Sequence, residues 1–105
     1  MIVSFNTQEL RDRCATLENA ETVIGSPHAR ELISVLSDAE AADTAAEFVE
    51  LYAPKATVEG DSISLPIGTR YRISFVAIGA AIGNRNGRPD WRLVRRLKLM
   101  DLSPC

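Results

Sequence analysis

The sequence predicts an α+β domain in which two or three N-terminal helices pack on one face of a small antiparallel sheet. Three observations lead there. Apolar residues recur at helical spacing from Leu10 to Tyr52, and from Ile63 onward they alternate with polar ones. The chain has 105 residues, 46% of them hydrophobic, enough for one core and too few for two. Residues 1–105 are therefore read as a single domain.

Ile2, Val3 and Phe5 form a short first strand that Asn6 ends. Thr7 is an N-cap candidate with Gln8 and Glu9 in the first turn, and Leu10, Cys14 and Leu17 follow on one helical stripe. Gly25-Ser26-Pro27 separates this helix from the next, with Ser26 as N-cap and Pro27 at the first helical position. Ala29, Leu32, Ile33 and Leu36 are its apolar face. Ser37-Asp38 is a candidate interruption, after which Ala39 to Tyr52 continues helically with Ala42, Ala46, Phe48 and Val49 inward. Pro54 to Gly60 reads as a loop. Ile63, Leu65 and Ile67, then Gly68-Thr69, then Tyr71, Ile73, Phe75 and Ala77 make a β-hairpin. Gly79 to Pro89 is a glycine-rich connection. A last strand spans Trp91 to Leu102, with Leu93, Leu97 and Leu99 toward the helices and Arg92, Arg96 and Lys98 on the opposite face. Arg95 falls on the apolar side, which implies a bulge there.

Composition excludes several classes of function. No uncharged run reaches the roughly 18 residues a membrane span needs, and no basic-then-apolar leader opens the chain. Two cysteines, Cys14 and Cys105, are too few for a disulfide framework or a zinc site, so a reduced, cytoplasmic protein without metal or cofactor is expected. His28, the single histidine, stands at a helix start and reads as a surface residue, while Cys14 reads as core. The formal charge of −2 conceals a division: residues 1–59 carry a net −7 and residues 60–105 a net +5. Six acids and no base lie between Glu31 and Glu50, a solvated helix face or a docking surface for a basic partner. The arginines of the second half are the chemically informative group. A guanidinium offers planar bidentate donors and keeps its charge, so a cluster on a strand face binds phosphates and stabilises a phosphorane formed by 2′-hydroxyl attack. Arg70, Arg72, Arg92, Arg96 and Lys98 would share that face. Lys98, Lys55, Tyr52 and Tyr71 are the acid or base candidates.

The order of these segments resembles the RelE/ParE toxin superfamily, and most closely the HigB-like "plasmid maintenance killer" toxins of bacterial type II toxin–antitoxin systems. Met1 to Asn6 followed by Glu9 to Asp12 is similar to that family's opening strand and first helix. Ala29, Arg30, Leu32, Leu36 and Ala41-Ala42 resemble its second and following short helix. Leu65-Pro66-Ile67-Gly68 leading to Tyr71-Arg72-Ile73-Ser74-Phe75 resembles its central hairpin. Asn86-Gly87-Arg88-Pro89-Asp90-Trp91, then Val94 and Leu97-Lys98-Leu99, resembles its glycine loop and last strand. The resemblance implies a RelE-like, microbial RNase-like fold and a toxin that inhibits translation by binding mRNA on the ribosome, and possible endoribonuclease (mRNA interferase) activity. It implies Arg72 and Lys98 as catalytic residues, with Arg95 or Arg96 as further basic residues of the last strand, and a cognate antitoxin, often a helix-turn-helix protein, that carries the complex to operator DNA. Arg70, Arg92, Arg95 and Arg96 are then the RNA-binding candidates. Three departures are visible, the first being that the chain is not basic overall as ribosome-dependent toxins tend to be. Tyr52 to Asp61 offers only Lys55 where relatives are basic, and Leu102 to Cys105 lacks the tyrosine and histidine of the Asp-Tyr-His tail. These favour the alternative implied by the same resemblance, a non-catalytic interaction protein that inhibits a protein target such as gyrase or acts only through its antitoxin complex.

Overall fold

A computed structural model describes residues 1–79 and 89–105. The chain is α+β, with helices packed on one face of a five-stranded sheet. Its elements are β1 (Ile2–Phe5), α1 (Gln8–Cys14), α2 (Leu17–Ile24), α3 (Ser26–Ala41), α4 (Ala45–Tyr52), β2 (Thr57–Glu59), β3 (Ser62–Ile67), β4 (Tyr71–Ala77) and β5 (Arg96–Pro104).

Capping side chains divide the helical half. Thr7 caps α1 as expected, its hydroxyl accepting from the Leu10 N–H. The first helix then stops early, because Thr16 leaves helical geometry and takes the Asn19 N–H to start α2. The described residues therefore hold four helices rather than two or three, and Leu17 is exposed rather than on the core stripe. Helix α3 begins at Ser26 after Gly25, whose φ of 83° is glycine geometry, so Gly25 rather than Ser26 is the N-cap. The helix runs unbroken through Ser37-Asp38. It ends where Ala42 turns extended, and Thr44 and Glu47 form a reciprocal capping box for α4. The terminal ammonium of Met1 donates to the carbonyls of Glu40 and Ala42, placing a positive charge at the negative end of α3.

The sheet order is β1-β5-β4-β3-β2, with β1 parallel to β5 and every other pair antiparallel. It is thus mixed rather than wholly antiparallel, since β1 reaches β5 only after the helices have crossed the sheet. The segment read as a loop contains β2, three exposed residues that pair with Ser62–Ser64. Most of the expected glycine-rich connection lies outside the described residues. Trp91 to Arg95 precedes β5 instead of belonging to it: the carbonyls of Val94 and Trp91 accept from the Ala45 and Ala46 N–H groups at 2.9 and 3.0 Å, closing the start of α4. Leu93 is accordingly 63% exposed and Val94 is the buried residue. The bulge also lies elsewhere. Phe75 pairs with Leu99 and Ser74 with Asp101, so Met100 is the extra residue, and Arg95 needs no bulge because it stands before the strand.

One core joins the layers. Ile63, Leu65, Ile67, Ile73, Phe75, Leu97 and Leu99 from the sheet meet Leu32, Val35, Leu36 and Phe48 from the helices. Phe48 lies edge-to-face with both Tyr52 and Phe75, at ring-centroid distances of 5.3 and 5.6 Å. Cys14 belongs to this core, and burial pushes its thiol up to about 11, partly opposed by Arg13. The raised value gives a sign: Cys14 favours the folded state below pH 9, and that contribution is lost as pH rises toward 11. A thiol-disulfide reagent at pH 8 should label only Cys105 in the native protein and both cysteines in denaturant.

Candidate nucleic-acid interface

Alternation along each strand sends one set of side chains into the core and the other to a face on which the described helices do not pack. Register fixes the neighbours on that open face. Ile2 lies beside Arg96, and Ser4 beside Lys98, which is opposite Val76, itself opposite Ser62. The next row sets Asp101 opposite Ser74 and Ser74 opposite Ser64. The third sets Ser103 opposite Arg72 and Arg72 opposite Pro66. Small serines surround three cations, and the described residues put no aromatic ring among them.

The sequence-predicted residues separate into three situations. Arg72, Arg96 and Lys98 project from β4 and β5 on the open face, and none makes an ion pair among the described residues. Arg70 lies in the β3–β4 turn, exposed, its carbonyl accepting from the Cys105 N–H. Arg95 is exposed immediately before β5, where its carbonyl accepts from Ile2. Arg92 does not share the face. It lies in the Trp91–Leu93 turn and makes a two-point contact with Asp90, Nε to Oδ1 and Nη2 to Oδ2, each 3.1 Å. Those hydrogen bonds hold the Asp90 carboxyl below its usual range and raise Arg92. Lys98 is level with Val76, four residues along β4 from Arg72, a separation of about 13 Å along the strand. Arg72 and Lys98 therefore address neighbouring phosphates more naturally than the same one.

Between these two cations stands Asp101, which the sequence reading missed. The bulge at Met100 shifts the alternation by one, so that Leu97, Leu99 and Leu102 face the core while Asp101 turns outward. The spacing of three between Leu99 and Leu102 was the available signal. Of the other acid or base candidates, Tyr52 lies on the helical side and donates to Asp38 Oδ2 at 2.5 Å. Burial, that hydrogen bond and the charges of Asp38 and Glu31 all raise its phenol. Tyr71 also faces the helices, edge-to-face with His28 at 5.2 Å, and Lys55 lies between α4 and β2.

His28 is half-buried rather than a bare surface residue. It packs over Gly68, while Glu31 one turn along α3 accepts from the Gly68 N–H at 2.6 Å. Together they clamp the turn that leads into Arg70 and Arg72. Gly68 has a φ of 61°, and a Cβ there would lie 2.4 Å from the His28 ring. Gly68→Ala should cost about 2–3 kcal/mol, combining left-handed strain with the clash, against about 1 kcal/mol for Gly60→Ala. Gly60 has a similar φ of 59° and open space around it, so a urea titration of the two variants separates strain from contact.

No helix of the described residues is long and apolar enough to cross a membrane, and no group of three or more His, Cys, Asp or Glu among them is placed to hold a metal ion. No protein-family model matches this chain, and neither does any curated protein or solved structure.

Proposed function

We propose that the open sheet face binds RNA and that the chain is the toxin of a bacterial type II toxin–antitoxin module, acting in the cytoplasm on mRNA at the ribosome. The observation that carries this reading is a sheet face free of described helices on which Arg72, Arg96 and Lys98 stand without an ion-pair partner among the described residues. Unpaired cations on such a surface attract a polyanion, and side chains held on strands keep fixed spacing along it. The element order of opening strand, helices, central hairpin and last strand supports the HigB-like resemblance. Serines beside the cations add hydroxyl contacts to phosphate and ribose.

For cleavage, the 2′-hydroxyl attacks the adjacent phosphorus, its proton passes to a base, and the 5′-oxygen leaves with a proton from an acid. Of the open-face carboxylates Asp101 and Glu59, Asp101 stands between the two cations and accepts the first proton, with Arg72 stabilising the phosphorane charge. Lys98, about 13 Å along the strand, reaches in from the neighbouring phosphate to protonate the leaving oxygen. Arg70, Arg95 and Arg96 extend the backbone contacts. Arg92 contributes least, because its guanidinium is engaged by Asp90. Neutralisation falls to an antitoxin, with operator DNA reached only through that complex.

A second reading has its own support. The described open face holds neither tyrosine nor histidine, and its two catalytic candidates are a wide step apart, as in a non-catalytic interaction protein of the same fold. Induced expression with measurement of growth and transcript ends tests both. The toxin reading expects arrest with new mRNA ends, relieved by Arg72→Ala and not by Arg92→Ala. Arrest with intact transcripts indicates a protein target, and no arrest from a folded chain overturns the toxin reading. Binding to a single-stranded RNA should weaken steeply with salt, and each of Arg72→Ala, Arg96→Ala and Lys98→Ala should lower that slope by about one phosphate contact.

A further inference from the structure

We propose that the open edge of β1 receives an extended, carboxylate-bearing segment of another protein as a sixth strand. This surface is the side of the sheet rather than its face, and the proposal stands whether or not the face binds RNA.

In a parallel pair, an edge-strand residue that directs its N–H and C=O to the neighbour alternates with one that directs both away. Ile2 and Asn6 donate to the Arg95 and Leu99 carbonyls at 3.0 and 2.9 Å. Val3 and Phe5, between them in the alternation, therefore turn their backbone groups outward. A groove of about 380 Å³ runs beside that edge, lined by Val3 to Gln8 and by Arg11 of α1. Sheets ordinarily guard such an edge with charge, proline or extreme shortness. The far edge is guarded: β2 has three residues, with Pro54 and Lys55 before it and Glu59 within it. Residues 1–8 carry no charged side chain and no proline, and Ile2 beside the groove is 60% exposed.

Charge selects the occupant. Arg11 is the charged side chain among the described residues lining the groove, and it makes no ion pair among the described residues. A second copy of β1 would satisfy the backbone groups but bring no carboxylate, because Ile2 to Gln8 contains none. The fitting segment alternates, with acidic side chains toward Arg11 and apolar ones toward Ile2.

The test uses the full chain and two capped ten-residue peptides, one alternating valine with glutamate and one alternating valine with lysine. Binding is read by fluorescence anisotropy, and amide exchange by NMR. The glutamate peptide should bind more tightly and slow exchange at Val3 and Phe5 by about ten-fold or more, leaving Ile2 and Asn6 unchanged. Arg11→Glu, on the exposed side of α1, should weaken the glutamate peptide about five-fold and favour the lysine peptide. Val3→Pro removes an outward donor without removing a ladder bond and should weaken both peptides; if that variant misfolds, Arg11→Glu still decides. No added protection at Val3 and Phe5 with millimolar peptide overturns the proposal, as does equal binding of the two peptides. A peptide-free dimer already protected at Val3 and Phe5 overturns the choice of occupant in favour of a second copy.

Discussion

Deleting Ser74 should unfold the protein, whereas deleting the larger Met100 should cost about 1 kcal/mol or less. Ser74 sits in an unbroken register between β3 and β4. Its removal slides Tyr71 to Ile73 by one position, carrying Ile73 to the open face and Arg72 toward the core. Ile73 is fully buried, and exposing it loses about 1.5–3 kcal/mol. Burying an unpaired guanidinium costs several more, which together consumes much of the roughly 5–15 kcal/mol available to a small domain. Met100 is the unpaired residue of the bulge. Without it, Phe75 still faces Leu99 and Ser74 still faces Asp101, so every side chain keeps its side of the sheet. Urea denaturation followed by circular dichroism distinguishes the two, and a Met100 deletion as damaging as the Ser74 deletion would show that the register break lies elsewhere.

Phe48→Ala should lower stability by about 3–5 kcal/mol. The ring has no solvent exposure and fills the space between α4 and β4, with Tyr52 on one edge and Phe75 on the other. Its removal leaves a cavity at the contact of helix layer and sheet, which neighbours held in regular elements cannot close. The urea midpoint should fall while its slope is unchanged, and Phe48→Leu should recover more than half of the loss because it restores most of the volume.

The division into a helical first half and a stranded second half was legible because each pattern persists long enough to repeat. Ile63 to Ala77 alternates over two full strands, and its inward residues are buried except Tyr71, which is half-buried. Shorter or non-local features were not legible. Three exposed residues, Thr57 to Glu59, carry no periodic signal, and their pairing depends on β3 being present. The partnership of β1 with β5 joins chain segments too distant for any local rule. Trp91 to Arg95 reads as strand in sequence because Leu93 extends the alternation, but the needs of α4's first N–H groups hold that stretch in a turn. The same misreading placed Arg92 on the open face. Arg72, Arg96 and Lys98 were found because simple alternation holds over the part of β4 and β5 that carries them. Asp101 was missed because it lies one residue past the point where alternation breaks.

The pairing of residue 2 with residue 96 bears on when the sheet can be completed. Chains are made from the N-terminus, so β1 precedes β5 by the whole helical layer and the hairpin and must wait for it before it has a strand partner. β5 also lies between β1 and β4 and carries Arg96 and Lys98. The β2-β3-β4 meander pairs without β1 or β5, so β5 both joins β1 to the sheet and adds Arg96 and Lys98 to the face that already carries Arg72. A chain translated only as far as residue 59 would carry the acidic half alone, a net −7.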